Sequence, residues 1–402
     1  MQKPFDNTNP ASLALFCKVV DNFGDIGICW RLARQLMQEC GIAVTLWVDD
    51  LHSFHRICPA VIIDARLQRI DGVTIRRWDA QDGAFSKDEI ADIVIEFFAC
   101  DIPPGYIAAM AECDPRPVWI NLEGLSAEEW VEGCHTLPSP HPRLPLTKYF
   151  FFPGFTGKTG GLLHESALEE QRQRFQTNPA ITSDFLARLG LASEEIGALK
   201  ATLFCYPHAP VPQLFDAWRS GDAPITCLVP EGVAIEAVEN FLGGPAKPGT
   251  ASTRDALTIR ILPFLPQSDY DKLLWACDLN FVRGEDSFVR AQWAGRPFVW
   301  HIYPQDKNLH HKKLRAFLQR YEPGIGADSL SEFALRWNDA WIADGGGTED
   351  WSRLWQRFKD DMPAIVRNAG DWRQAMLAHG DLASNLMKFV RSIKSVAEQK
   401  KV

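Results

Sequence analysis

The sequence predicts an α/β protein made of two Rossmann-like βα domains in tandem, and three observations carry that prediction. The chain has 402 residues, more than one hydrophobic core usually supports. Apolar segments alternate with amphipathic ones in two separate series, one in the N-terminal half and one starting near residue 200. The apolar runs are mostly continuous rather than alternating, as strands covered by helices on both faces require.

In the first series the strand candidates are "LALFCKVV" (13–20), "IAVTLWV" (42–48), "VTIRRW" (73–78), "DIVIEFF" (92–98) and "PVWINLE" (117–123). Ile26, Cys29, Trp30, Ala33, Leu36 and Met37 recur at helical spacing between the first two. Asp25 is the expected N-cap of that helix and Gly41 its closing residue. Residues 133–165, "GCHTLPSPHPRLPLTKYFFFPGFTGKTGGLL" with its flanks, break the βα repeat with Pro, Gly and aromatics and read as packed surface loops. The second series offers "ATLFCY" (201–206), "PITCLV" (224–229), "LTIRILPF" (257–264), "DLNFVR" (278–283) and "PFVWHI" (297–302). Helices are expected at 267–277 and 287–295, and the tail from 329 reads as helical throughout. The expected division is 1–165, 166–385 and a helical tail, 386–402.

Composition narrows the function. A formal charge of −9 argues against a protein that binds nucleic acid through its phosphates. The ten cysteines contain no C-x-x-C pair, so neither a zinc site nor a disulfide framework is expected. No apolar stretch approaches a membrane span and no signal-like segment opens the chain, so a cytoplasmic protein is expected. His301, His310 and His311 cluster in "HIYPQDKNLHH" without the acid–histidine spacing of a metal site; His301 is expected to end a buried strand.

Two strand ends hold the candidate chemistry, because ligands of open parallel sheets bind outside the carboxyl ends of the strands. "DNFGDIG" (21–27) lacks the G-x-G-x-x-G of a dinucleotide site, and its carboxylates, Asp21 and Asp25, would repel a diphosphate lying on the loop. Carboxylates there suit proton abstraction; equally, Asp25 could cap the helix while Asp21 steadies the turn. The second end, "RGEDS" (283–287), leads into a helix whose N-terminal N–H groups suit phosphate oxygens, with Arg283 as a forked contact. Together the loops fit metal-independent glycosyl transfer, with a diphosphate on the second domain and the reacting carbon toward Asp25 across a cleft.

The segments "FCKVVDNFGDIG" (16–27), "WRLARQL" (30–36), "VIEFFACD" (94–101), "LPSP" (137–140), "KYFFFPGFTGKTGGL" (148–162) and "FVRGEDSFVRAQWAGRPFVWHIYPQ" (281–305) span nearly the whole chain. In these the sequence resembles the EarP family, the elongation factor P arginine rhamnosyltransferases. The resemblance implies a GT-B fold and inverting transfer of L-rhamnose from dTDP-β-L-rhamnose to an arginine of elongation factor P, with no cofactor or metal. It implies Asp25 as general base, with Glu285 needed for activity; beside that base, Asp21 is expected to orient the guanidinium. It implies donor contacts at Asn22, Phe23 and Gly24, and at Tyr206, Phe264, Gln267, Arg283, Gly284, Asp286 and Ser287.

Other readings compete. A different GT-B sugar transferase would share the RGEDS loop but act on a small or lipid-linked acceptor. A non-enzymatic binder of elongation factor P would have dispensable carboxylates at 21 and 25. An NAD-linked oxidoreductase suffers from the absent glycine fingerprint.

Overall fold

The computed structural model describes residues 11–20, 23–79, 83–325, 328–339 and 350–399. The chain divides into two compact units: Met1–Ser166 together with Met376–Val402, and Ala167–Ala375.

The first unit holds an eight-stranded sheet. Its strands are β1 (Ser12–Cys17), β2 (Ala43–Val48), β3 (Leu67–Ile70), β4 (Val73–Arg77), β5 (Ile93–Phe97), β6 (Val118–Leu122), β7 (Pro138–Pro140) and β8 (Thr147–Phe151). They run in the order β3-β4-β2-β1-β5-β6-β8-β7. The interior pairs from β4 to β8 are parallel, and only the edge strands β3 and β7 run antiparallel to their neighbours. β5 and β6 are buried at every residue, which explains their unbroken apolar runs. On one face Phe16, Trp47 and Tyr106 pack ring against ring, with centroids 5.0–5.9 Å apart.

Two expectations change here. The stretch 133–165 is not loop alone: β8 joins the sheet beside β6 and β7 pairs with β8. The C-terminal helix Leu382–Gln399 belongs with the first unit, where a boundary at 385/386 had assigned residues 376–385 to the second. Leu382 N–H donates to the Leu162 carbonyl (2.9 Å), and Asn385 Nδ2 to that of Gly160 (3.2 Å). The Phe389 ring meets Tyr149 at 5.5 Å and Phe151 at 5.7 Å. The aromatic run 149–155 thus forms, in part, the bed for this helix. The basic end 394–402, "KSVAEQKKV", is expected to fray; the helix instead continues to Gln399, and residues 400–402 lie outside the described ones.

The second unit holds a six-stranded sheet of β9 (Leu199–Leu203), β10 (Ile225–Pro230), β11 (Ala251–Arg254), β12 (Leu257–Leu262), β13 (Leu279–Arg283) and β14 (Phe298–His301). The order is β11-β12-β10-β9-β13-β14, with all but the β11 pairing parallel. Strand order reverses between β1 and β5 in one unit, and between β9 and β13 in the other. Those reversal points are where open α/β sheets leave room for a ligand. All ten cysteines are free thiols.

Candidate active site

The first candidate loop leaves β1 at its reversal point. Asp21 and Asn22 lie outside the described residues. The helix runs from Gly24 to Cys40 and closes on Gly41, whose φ of 67° is the left-handed conformation glycine tolerates. Phe23, not Asp25, occupies the N-cap position, and no side chain caps it. Phe23 already has helix-like backbone angles, so the helix starts before the aspartate. Asp25 sits in the first turn, 5% exposed, and its Oδ2 accepts the Val20 N–H at 2.7 Å. Asp49, just past β2, accepts the Val19 N–H at 2.9 Å. Two carboxylates therefore hold the strand-to-helix turn, and the helix N-terminus stabilises the charge on Asp25.

Beside this turn, β5 ends in a segment that sequence reasoning passed over. Phe98, Ala99 and Asp101 have φ of 53°, 50° and 54°, a left-handed conformation costly for residues with a Cβ. Asn121 Oδ1 accepts the Ala99 N–H at 2.9 Å and helps hold it there. Strain of this kind gathers at functional sites. No local pattern of residue types announces it.

In the second unit the RGEDS turn leaves β13, next to the loop that follows β9. The Ser287 hydroxyl accepts the Arg283 N–H (3.1 Å) and donates back to the Arg283 carbonyl, closing the turn. Gly284 has φ of 64°; its N–H donates to the His301 carbonyl (3.3 Å), and its carbonyl accepts the Trp300 indole N–H (2.7 Å). Glu285 stands at the N-cap without a side-chain cap bond, and Asp286 opens the helix Asp286–Ala294. The Arg283 guanidinium donates from Nη1 to the Cys205 carbonyl (3.0 Å) and lies over the rings of Phe204 (4.3 Å) and Tyr206 (4.9 Å). Arg283, Gly284, Ser287 and Tyr206 are therefore one cluster. Phe264 lies in the loop after β12, two strands from β9, and Gln267 opens the next helix, Gln267–Ala276.

A buried fork fixes that helix against the one from RGEDS. Arg290 Nε and Nη2 meet the Asp271 carboxylate at 2.9 and 2.8 Å, with Arg290 only 1% exposed. His301 does end a buried strand, as expected, but it also binds. Its Nδ1 accepts the Tyr206 N–H (3.2 Å), and its Nε2 lies 3.0 Å from His208 Nε2. Burial, then the nearby His208, Arg283 and His310, push its pKa down to about 3. The pairing of His208 with His301 crosses 93 residues of chain, so spacing could not reveal it. Among the described residues no group of three or more His, Cys, Asp or Glu side chains could hold a metal ion. No helix among them is long and apolar enough to cross a membrane.

The family model for the elongation-factor P (EF-P) rhamnosyltransferase EarP matches residues 13–391. Among similar proteins is a protein-arginine rhamnosyltransferase of Pseudomonas putida, 46% identical over 95% of this chain and 99% of its own. That of Pseudomonas aeruginosa is 45% identical, over 94% and 98%. A solved structure from work on EarP-mediated arginine glycosylation of translation elongation factor EF-P aligns with a TM-score of 0.65 and 34% identity, over 95% of this chain and 99% of that one. The calicheamicin glycosyltransferase CalG4 aligns with a TM-score of 0.51 at 10% identity, over 96% and 100%, which speaks to the fold alone. The fold is accordingly the two-domain α/β arrangement of the GT-B type, and the chain belongs to the EarP family of EF-P rhamnosyltransferases, protein-arginine rhamnosyltransferases of the glycosyltransferase class.

Proposed function

We propose that the protein moves L-rhamnose from dTDP-β-L-rhamnose to one arginine side chain of EF-P, with inversion at the anomeric carbon and without a metal or other cofactor. The observation that carries this reading is the whole-chain similarity to protein-arginine rhamnosyltransferases, together with the EF-P target named for the structural relative. The reaction takes place in the cytoplasm, with a protein acceptor and no nucleic acid or membrane partner.

The chemical difficulty is the acceptor. A guanidinium has a pKa above ~12 and an ordinary carboxylate one of about 4, so removing the proton before attack would cost roughly 11 kcal/mol. We therefore place proton loss late. The carboxylates orient the guanidinium, the bond from the anomeric carbon to the dTDP oxygen breaks, and the bond from that carbon to nitrogen forms. The new nitrogen substituent makes its proton acidic, and Asp25 accepts it, with Asp21 as orienting partner and Glu285 a further carboxylate needed for turnover. The departing dTDP carries its negative charge to the helix start at Asp286–Ser287 and to Arg283. Asn22, Phe23, Gly24, Tyr206, Gly284, Phe264 and Gln267 hold the remainder of the donor.

The test is direct. Purified protein, EF-P and dTDP-rhamnose are incubated and EF-P is weighed intact, then fragmented. One added deoxyhexose on an arginine supports the reading. An unmodified EF-P, or modification of a different residue type, overturns it.

A further inference from the structure

The histidine pair formed by the loop after β9 and the last residue of β14 is not needed by anything assigned so far. Its hydrogens can be counted. The Tyr206 backbone N–H is an obligatory donor and points at His301 Nδ1, so that nitrogen carries no proton. A neutral His301 then bears its hydrogen on Nε2, and donates it to His208 Nε2, 3.0 Å away. His208 in turn carries its own hydrogen on Nδ1. A hydrogen on His208 Nε2 would face the one on His301 Nε2 and break this chain.

The chain of bonds ends on a donor at the surface. His208 is an exposed ring, and its Nδ1 has no hydrogen-bond partner among the described residues. The ring lies parallel to that of Tyr206, centroids 6.2 Å apart, and Tyr206 lies under the Arg283 guanidinium. The main chain of His301 is also fastened to the RGEDS turn through Gly284 N–H. This N–H therefore belongs to the same corner of the second unit as Arg283 and the RGEDS turn.

We propose that His208 is a further donor-binding residue, whose Nδ1–H hydrogen-bonds a diphosphate oxygen of the nucleotide sugar, and that His301 is the positioning residue that fixes its tautomer. This rests on the nucleotide-sugar reading given above. A purely structural role, in which His208 only satisfies buried His301, makes a different prediction, because any polar partner for His301 would then suffice and nucleotide affinity would not change.

The experiment titrates the full chain with dTDP by calorimetry and with thymidine by NMR, which reads weak binding, for wild type, His208→Phe and His208→Asn. Both variants remove the acceptor of the buried His301 Nε2–H, so both should lose a similar few degrees of melting temperature, and the comparison between them reads the His208 N–H alone. The phenyl ring keeps the shape and removes the N–H, and should weaken dTDP about ten- to a hundredfold, the worth of one hydrogen bond to a charged group, with thymidine unaffected. Asn places an amide N–H where the imidazole Nδ1–H was and should restore most of the dTDP affinity. Equal dTDP binding by wild type and His208→Phe overturns the inference alone. So does a loss shared equally by dTDP and thymidine, or a failure of Asn to recover affinity. A wild-type protein that does not bind dTDP overturns the donor reading and this inference with it.

Discussion

Replacing Asp25 by Asn separates its two jobs, and the structure fixes the size of one of them. The Oδ2···H–N bond to Val20 is 2.7 Å and charge-assisted. Such a bond contributes ~1.5–3 kcal/mol, against ~0.5–1.5 for a neutral one. Asn retains a carbonyl oxygen that accepts the same N–H, so the substitution should cost about 1 kcal/mol, the difference between the two. In a unit of this size that lowers the melting temperature by roughly 2–4 °C. A loss that small leaves essentially every molecule folded at 25 °C, so it cannot account for a large drop in turnover. Loss of a general base removes about 10²–10⁴ in rate. The assay pairs a thermal melt with the EF-P transfer rate, at a dTDP-rhamnose concentration shown by calorimetry to saturate both proteins. Turnover within about tenfold of wild type would refute Asp25 as the proton acceptor. A fall in melting temperature above about 10 °C would instead refute the hydrogen-bond argument.

Three further outcomes follow from the packing. Arg290→Met strands the buried Asp271 carboxylate and should cost ~3–5 kcal/mol in chemical denaturation, while adding Asp271→Leu should recover most of that. Gly161→Ala forces a Cβ to 2.5 Å from the Gly380 carbonyl oxygen at a φ of 75°; a loss of about 2 kcal/mol or more is expected, with faster amide exchange in the helix Leu382–Gln399. His301 has a folded pKa of about 3 against an ordinary value near 6.5, so the unfolded chain takes up the proton first as pH falls. Its contribution is complete above about pH 6.5 and is lost on acidification toward pH 3. The urea midpoint should therefore drop between pH 7 and 5, and His301→Phe should show a shallower drop. It should not be flat, because burial also lowers His135 to about 4.

The interior strands were legible because burial on both faces leaves only apolar side chains, as in β5, "IVIEF", apart from one glutamate. The edge strands were not. β3, "LQRI", and β11, "ASTR", have one face in solvent and mix polar with apolar residues, and β8 hides among prolines and glycines that signal turns. At the site, the RGEDS turn and its helix could be read because a glycine at positive φ and a helix start are local events. Asp25 was read at the right loop but one role astray: its carboxylate reaches back to Val20 rather than forward to cap the helix, and only the backbone angles of Phe23 decide between the two. Contacts between distant segments, such as Arg290 with Asp271 through their helices or His208 with His301, leave no trace in local periodicity.

That the closing helix rejoins the domain with which the chain begins has a consequence for biosynthesis. On the ribosome, the segment Ala167–Ala375 emerges as one uninterrupted stretch and can collapse as soon as it clears the exit. The other unit, begun before that segment, must wait for residues made after it. Until the helix Leu382–Gln399 emerges, Tyr149 and Phe151 lack the Phe389 ring that covers them, and a stop codon ahead of that helix would leave the apolar bed open to aggregation.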